Sequence, residues 1–231
     1  MPKKYIVQDK VVTIYYDEKY KNKDVPLIIL NVFDEDGQEI WDKSQKLANS
    51  DYILATVSNI NWNQDMSPWY MKKLFKTEND YTGEADKYIE LLINKIIPET
   101  VKLIKEELNI KVSKYILAGY SLAGLFAIYS LYKTNLFTSV ISCSGSLWYP
   151  NFIKFVKENK LQKKPEKIYF SLGNKESKTK NEMMSKVEEN TKYLEQFYYK
   201  QGIKTIYEEN PGNHFQDVSL RIAKAICWIL D

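Results

Sequence analysis

Lys114-Tyr115-Ile116-Leu117-Ala118-Gly119-Tyr120-Ser121-Leu122-Ala123-Gly124-Leu125-Phe126 is the stretch on which the reading of this chain turns. Lys114–Ala118 is a short apolar run of the kind that forms a buried strand. Leu122–Tyr132 reads as a helix, and Ser121 falls on the corner between them. A serine on such a sharp strand-to-helix turn has its Oγ exposed above the sheet, provided that its neighbours two residues before and after are small. Gly119 fills the first place and Ala123 the second. Ala123 departs from the strict G-x-S-x-G pattern, but alanine is nearly as small as glycine. A helix starting just after Ser121 brings its positive end near a reacting carbonyl. Ser121 is therefore a candidate nucleophile, and the backbone N–H of Leu122 a candidate oxyanion donor. The competing reading is a glycine-capped βα turn with an incidental serine.

On either side of this turn, β-rich runs alternate with helical patterns. Tyr5–Val7 and Val11–Tyr16, joined across Gln8-Asp9-Lys10, suggest an antiparallel hairpin. Further strands are expected at Leu27–Phe33, Tyr52–Val57, Lys114–Ala118, Ser139–Cys143, Lys167–Leu172 and Ile203–Glu208. Helices are expected at Ala85–Leu108, Leu122–Tyr132, Phe152–Glu158, Asn181–Tyr199 and Asp217–Leu230, with Pro98 kinking or dividing the first. Short apolar strands alternating with helices predict an α/β architecture with right-handed crossovers. The expected sheet is mostly parallel and eight-stranded, with an antiparallel start and helices on both faces, in one domain over 1–231.

The chain has one histidine, His214, in Asn210-Pro211-Gly212-Asn213-His214-Phe215. Any mechanism that needs an imidazole must use it. It lies on a turn between the last strand and the last helix, where it can reach back to Ser121 as a general base. The bland alternative is a surface or satisfied core histidine. An acid must orient the imidazole and stabilise its charged form. Chain order for such a site is serine, acid, histidine, which places the acid just after Lys167–Leu172. The loop Gly173-Asn174-Lys175-Glu176-Ser177-Lys178 holds one carboxylate, Glu176. Its rivals are Asp217, which suits the start of the last helix, and Glu208 and Glu209 at a strand end. A serine–histidine pair with no third member stays open, as does a solvated role for Glu176.

Composition narrows the classes. Among 231 residues, Lys and Arg number 33 against 30 Asp and Glu, for a net charge of +3. The charges are interspersed, so no basic face points to nucleic acid. No apolar run is long enough for a membrane span or a signal peptide, so a cytoplasmic location is expected. Two cysteines, Cys143 and Cys227, and one histidine give no disulfide framework and no metal site. Cys143 lacks a glycine at the elbow spacing and reads as core packing rather than as a rival nucleophile. Ser142, Ser144 and Ser146 are read as partners for backbone groups at that strand end. No cofactor is expected, and nothing in the sequence sets an oligomeric state.

Pockets are commonly apolar with a few polar groups. Trp62 and Trp69, on a polar loop after Tyr52–Val57, and Trp148, after Ser139–Cys143, are candidate substrate-binding residues; packing under a long loop is the alternative. The second oxyanion donor is expected from the loop after the third strand, with the backbone of Phe33 as the candidate. Asp34, Glu35 and Asp36 in that loop also read as a solvated acidic turn.

Four stretches together resemble a family: Ala118-Gly119-Tyr120-Ser121-Leu122-Ala123-Gly124-Leu125-Phe126, Ser144-Gly145-Ser146-Leu147-Trp148-Tyr149-Pro150, Leu172-Gly173-Asn174-Lys175-Glu176 and Gly212-Asn213-His214-Phe215. With the strand order, they are similar to the putative esterase branch of the α/β-hydrolases. That branch includes enterobactin and salmochelin esterases, S-formylglutathione hydrolase and feruloyl esterases. The resemblance implies an α/β-hydrolase fold and a serine hydrolase that cleaves small-molecule carboxylic esters through an acyl-enzyme. It implies Ser121 as nucleophile, His214 as base and Glu176 as acid. The chain departs from the family pattern at Tyr120, where histidine is common, at Ala123, where glycine is common, and in the third-strand loop. Competing readings are a deacylase or thioesterase using the same residues, and a hydrolase-fold protein that only binds its ligand.

Overall fold

A computed structural model describes residues 2–33 and 37–231. Its strands are β1 (Lys3–Val7), β2 (Lys10–Tyr15), β3 (Asp24–Asn31), β4 (Ile53–Ser58), β5 (Lys111–Tyr120), β6 (Ser139–Cys143), β7 (Lys167–Gly173) and β8 (Lys204–Asn210). They form one eight-stranded sheet in the order β1-β2-β4-β3-β5-β6-β7-β8. β1 and β2 form the antiparallel hairpin and β2 runs antiparallel to β4. Every other pairing is parallel. The expected fold is the one observed: the chain has the α/β-hydrolase architecture.

The near-continuous apolar runs are explained by burial on both faces. Along β3, Leu27 and Ile29 pack into one apolar layer, whereas Ile28 and Leu30 pack into the other. The larger layer is covered by α3 (Ala85–Leu91), α4 (Ile97–Leu108), α5 (Leu122–Ser130), α6 (Phe152–Glu158) and α7 (Val187–Lys200). The smaller layer is closed by α1 (Gln38–Leu47) and α8 (Val218–Leu230), which pack on each other. A short helix, α2 (Trp62–Asp65), follows β4. Every residue of α5 is buried, so its sequence is apolar all round rather than amphipathic.

Two local differences from the sequence reading have physical causes. The segment Ala85–Leu108, expected to be kinked or divided at Pro98, is continuous: it contains a π-helical turn at Leu92–Ile96, and Pro98 lies in the first turn of α4. Proline has no N–H to return to the preceding turn, and a widened turn accommodates that loss. Helix α1 was not expected. Its buried face includes Ser44, whose hydroxyl is satisfied by the Ile40 carbonyl and by Tyr52. A serine at a core position interrupts the hydrophobic period on which such a reading depends.

Candidate active site

The β5–α5 corner lifts Ser121 above the sheet. Its φ of 58° and ψ of −124° lie where an L-residue is strained, at a cost of about 1–3 kcal/mol. The surroundings hold it there. Ser121 N–H donates to the Cys143 carbonyl at 3.0 Å, and the Ser121 carbonyl accepts from Ser146 N–H at 3.0 Å and Gly124 N–H at 3.0 Å. Gly119 has to be glycine, because a Cβ there would overlap the Ala123 carbonyl. Gly124 packs closely on the turn at Gly145. The turn thus tolerates Ala123 at the place where glycine is usual, since the crowding falls on Gly119 instead.

His214 and Glu176 arrive from the ends of the neighbouring strands. The loop after β7 and the loop after β8 are joined along their backbones. Asn174 N–H donates to the Asn210 carbonyl at 2.8 Å and Lys175 N–H to the Gly212 carbonyl at 3.0 Å. The Asn174 side chain accepts from Gly212 N–H at 3.0 Å. Gly212 has a φ of 95°, which allows the sharp turn into His214. His214 Nε2 then lies 3.0 Å from Ser121 Oγ, and His214 Nδ1 lies 2.7 Å from Glu176 Oε2. The structure therefore brings Ser121, His214 and Glu176 into one hydrogen-bonded chain.

Glu176 is almost fully buried, with 4% of its side chain exposed. Its Oε1 accepts from Gly173 N–H at 2.6 Å, Ser144 Oγ at 2.7 Å and Arg221 Nη1 at 2.9 Å. Burial pushes the carboxyl up. Hydrogen bonding and charge from His214, with the Gly173 and Ser144 donors, outweigh it and hold the group below the ordinary glutamate range. The carboxylate facing the imidazole is thus an ionised one. Of the rivals, Glu208 pairs with Tyr169 at 2.7 Å and Lys224 at 2.8 Å. Asp217 precedes α8 with a φ of 54° and makes no side-chain cap. Cys143 is fully buried, and burial pushes its thiol up to about 12, far from a thiolate at neutral pH.

Two expectations need correction. Trp69 does not line the cavity. Its indole N–H donates to the Pro150 carbonyl at 3.0 Å, and its rings pack against Tyr129, Tyr149, Phe152 and Phe155. It anchors the long loop to α5 and α6. The serines after β6 also differ from the simple strand-end reading. Ser144 serves the acid, with a φ of 45° that turns it toward Glu176, and the buried Ser142 hydroxyl has no partner.

Trp62, Trp148 and Phe33 do line the cavity that opens above Ser121, together with Leu122 and His214. The cavity holds about 1070 Å³. Phe33 is 61% exposed and meets Trp62 edge to face at 5.3 Å. The backbone of Leu122 opens α5 beside Ser121, and Phe33 follows β3 on the same rim. Asp34, Glu35 and Asp36 lie outside the described residues.

Sequence reasoning missed Arg221 and the role of Tyr120. Arg221 comes from the buried face of α8 and is 1% exposed. Tyr120 donates its hydroxyl to the His214 carbonyl at 2.7 Å and accepts from Arg221 Nη1 at 3.1 Å. A sequence signal existed: Arg221 is the only arginine in the chain. Among the described residues, no group of three or more His, Cys, Asp or Glu side chains is placed to hold a metal ion, and no helix is long and apolar enough to cross a membrane.

Known proteins share this fold. The family profile described as "Putative esterase" matches residues 30–217. An uncharacterised protein, YbbA, of Bacillus subtilis is 24% identical over 182 residues, covering 74% of this chain and 71% of that protein. Among solved structures, an IroE-like serine hydrolase from Shewanella oneidensis superposes with a TM-score of 0.80 at 18% identity, covering 100% of this chain and 79% of the other. The siderophore hydrolase EstA from Aspergillus nidulans superposes with a TM-score of 0.74 at 14% identity, covering 99% and 93%. With the profile spanning both the β5–α5 turn and His214, the chain belongs to the putative esterase family and is a carboxylic ester hydrolase.

Proposed function

We propose that Ser121, His214 and Glu176 act as a triad that cleaves small-molecule carboxylic esters through an acyl-enzyme. The observation that carries this reading is the continuous chain Ser121 Oγ to His214 Nε2 at 3.0 Å and His214 Nδ1 to Glu176 Oε2 at 2.7 Å. With Nδ1 donating to the carboxylate, Nε2 is left as the acceptor that faces the serine hydroxyl.

His214 takes the Oγ proton as Ser121 attacks the ester carbonyl. The carbonyl π pair moves to oxygen, where the N–H groups of Leu122 and Phe33 stabilise the charge. The tetrahedral centre collapses, the C–O bond to the alcohol breaks, and the imidazolium gives its proton to the departing oxygen. Water then enters, loses a proton to His214 and attacks the acyl carbon. The second collapse releases the acid and returns the proton to Ser121 Oγ. Glu176 holds the tautomer and balances the imidazolium, and no cofactor takes part. Trp62 and Trp148 provide apolar walls for the substrate. The structural neighbours include a siderophore hydrolase and a ferulic acid esterase, and the second supports testing esters of an aromatic acid. Thioesters and acylated sugars would use the same steps.

An acyl-enzyme is tested by partitioning. Esters of one acid with different alcohols are hydrolysed in the presence of hydroxylamine. A common intermediate gives one ratio of hydroxamate to acid whatever the alcohol. A ratio that changes with the leaving group means that no common acyl-enzyme forms.

Glu176→Gln is expected to lower kcat by roughly 10²–10⁴-fold, because the amide supports neither the tautomer nor the charge of the imidazolium. The pH dependence has a definite sign. The Glu176 carboxyl is held below the ordinary glutamate range, so the part of kcat that depends on its charge is lost only as pH falls through that lowered range. Glu176→Gln has no carboxyl to protonate there and loses that part of the pH dependence. A kcat within a few-fold of wild type in Glu176→Gln would exclude Glu176 as the acid.

A further inference from the structure

The chain contains 33 lysines and arginines, of which one is arginine, Arg221, and the other 32 are lysines. That single arginine is buried beneath the proposed triad. Its Nη1 donates to Glu176 Oε1 at 2.9 Å, Tyr120 Oη at 3.1 Å and Ser144 Oγ at 3.2 Å. Its Nη2 donates to the carbonyls of Pro211 and Asn213, each at 2.9 Å. One nitrogen therefore grips the acid and its neighbours, and the other grips the backbone that leads into His214. Tyr120 closes the circuit by donating to the carbonyl of His214 itself at 2.7 Å.

Packing does not call for this residue. The rest of the buried face of α8 is mostly Ile222, Ala225, Ile226 and Ile229, and apolar side chains of similar volume often replace buried ion pairs without loss of stability. The guanidinium is also imperfectly satisfied, since its buried Nε has no partner. What arginine supplies is a rigid planar fork with two nitrogens facing separate acceptors, which the single ammonium of lysine cannot reproduce. A chain that uses lysine at every other basic position uses arginine where that fork spans two loops.

We propose that Arg221 is a positioning residue for ester hydrolysis: it fixes the acid loop after β7 against the histidine loop after β8, so that the imidazole is held between Glu176 and Ser121. This rests on the triad reading above. Arg221 touches neither substrate nor reacting atoms and acts through Glu176 and His214. Tyr120 relays the same constraint, which gives a purpose to the tyrosine beside the nucleophile.

The test is a set of variants with kcat expressed per active site titrated by a fluorophosphonate, so that misfolded protein does not count. Arg221→Lys is expected to lower kcat per titrated site by about 10–100-fold with KM within about threefold. Arg221→Gln shortens the side chain and removes the two-pronged fork, and is expected to lower kcat per titrated site at least as much, again with KM within about threefold. In a Glu176→Gln background, Arg221→Lys should cost clearly less than it does in the wild type, because one of the two groups through which it acts is already gone. Should the Arg221 variants not fold, Tyr120→Phe removes one hydroxyl from the same network and is expected to lower kcat per site by about 3–10-fold. Unchanged kcat per site in Arg221→Lys, or fully additive losses with Glu176→Gln, overturns the proposal; if only Tyr120→Phe can be read, unchanged kcat does so. Activity surviving in Ser121→Ala overturns the triad reading instead, so the two failures are distinguishable.

Discussion

Replacing His214 with alanine is expected to lower kcat for ester hydrolysis by on the order of 10⁴–10⁶-fold, equivalent to roughly 5–8 kcal/mol of transition-state stabilisation. The size follows from the composition as much as from the geometry. The chain has no second histidine, so no other imidazole can take over the proton. His214 sits 3.0 Å from Ser121 Oγ and is the one group that links the hydroxyl to Glu176. The fold should survive, since His214 leaves 30% of its side chain exposed and Glu176 keeps its contacts to Gly173, Ser144 and Arg221. The space left opens into the cavity that His214 lines, so added imidazole is expected to restore part of the lost rate. Steady-state hydrolysis of a short p-nitrophenyl ester measures both effects. Activity within tenfold of wild type in His214→Ala would mean that the general base lies elsewhere.

Ser121→Ala is expected to have an effect of similar size, on the order of 10⁴–10⁶-fold in kcat, because members of such a triad act as a unit. Alanine is the informative substitution here. It keeps the Cβ and therefore the strained backbone of the turn, with φ at 58°. Glycine would relax that strain and change two things at once. The thermal midpoint of Ser121→Ala should match wild type closely, since only a hydroxyl is lost. If its hydrolysis persists at a tenth of wild type or more, the acyl group is carried by another residue. Cys143 is excluded from that role by its burial between sheet and α8.

Much of the site was legible in the sequence because it depends on local signals. Ser121 stands between an apolar strand and an apolar helix, with Gly119 at the one position where a Cβ cannot fit. His214 follows a Pro-Gly-Asn turn, and Glu176 is the one carboxylate of the loop after β7, where chain order in this fold places an acid. The remainder depends on contacts between distant segments. Arg221 lies in a helix whose burial on both α1 and the sheet no local window reveals, and its partners come from β5, β6, β7 and β8 loops. Tyr120 looks like an incidental neighbour of the nucleophile until the His214 carbonyl is placed above it. Trp62 and Trp69 belong to the same polar segment after β4, yet Trp69 packs into α5 and α6 whereas Trp62, at the start of α2, faces the cavity. Helix α1 was hidden by Ser44 on its buried face. The hydrophobic pattern therefore reported the sheet and its large helices, and under-reported the elements whose buried faces carry satisfied polar groups.

The central claim is that Ser121 is an activated nucleophile, made so by His214. Reaction of the protein with a fluorophosphonate, followed by mass spectrometry of its peptides, tests that claim most directly. One adduct per chain is expected, on the peptide carrying Gly119-Tyr120-Ser121-Leu122, lost in Ser121→Ala and slowed by at least about 10³-fold in His214→Ala. An adduct on any other residue, or labelling of Ser121 at an undiminished rate without His214, would contradict it.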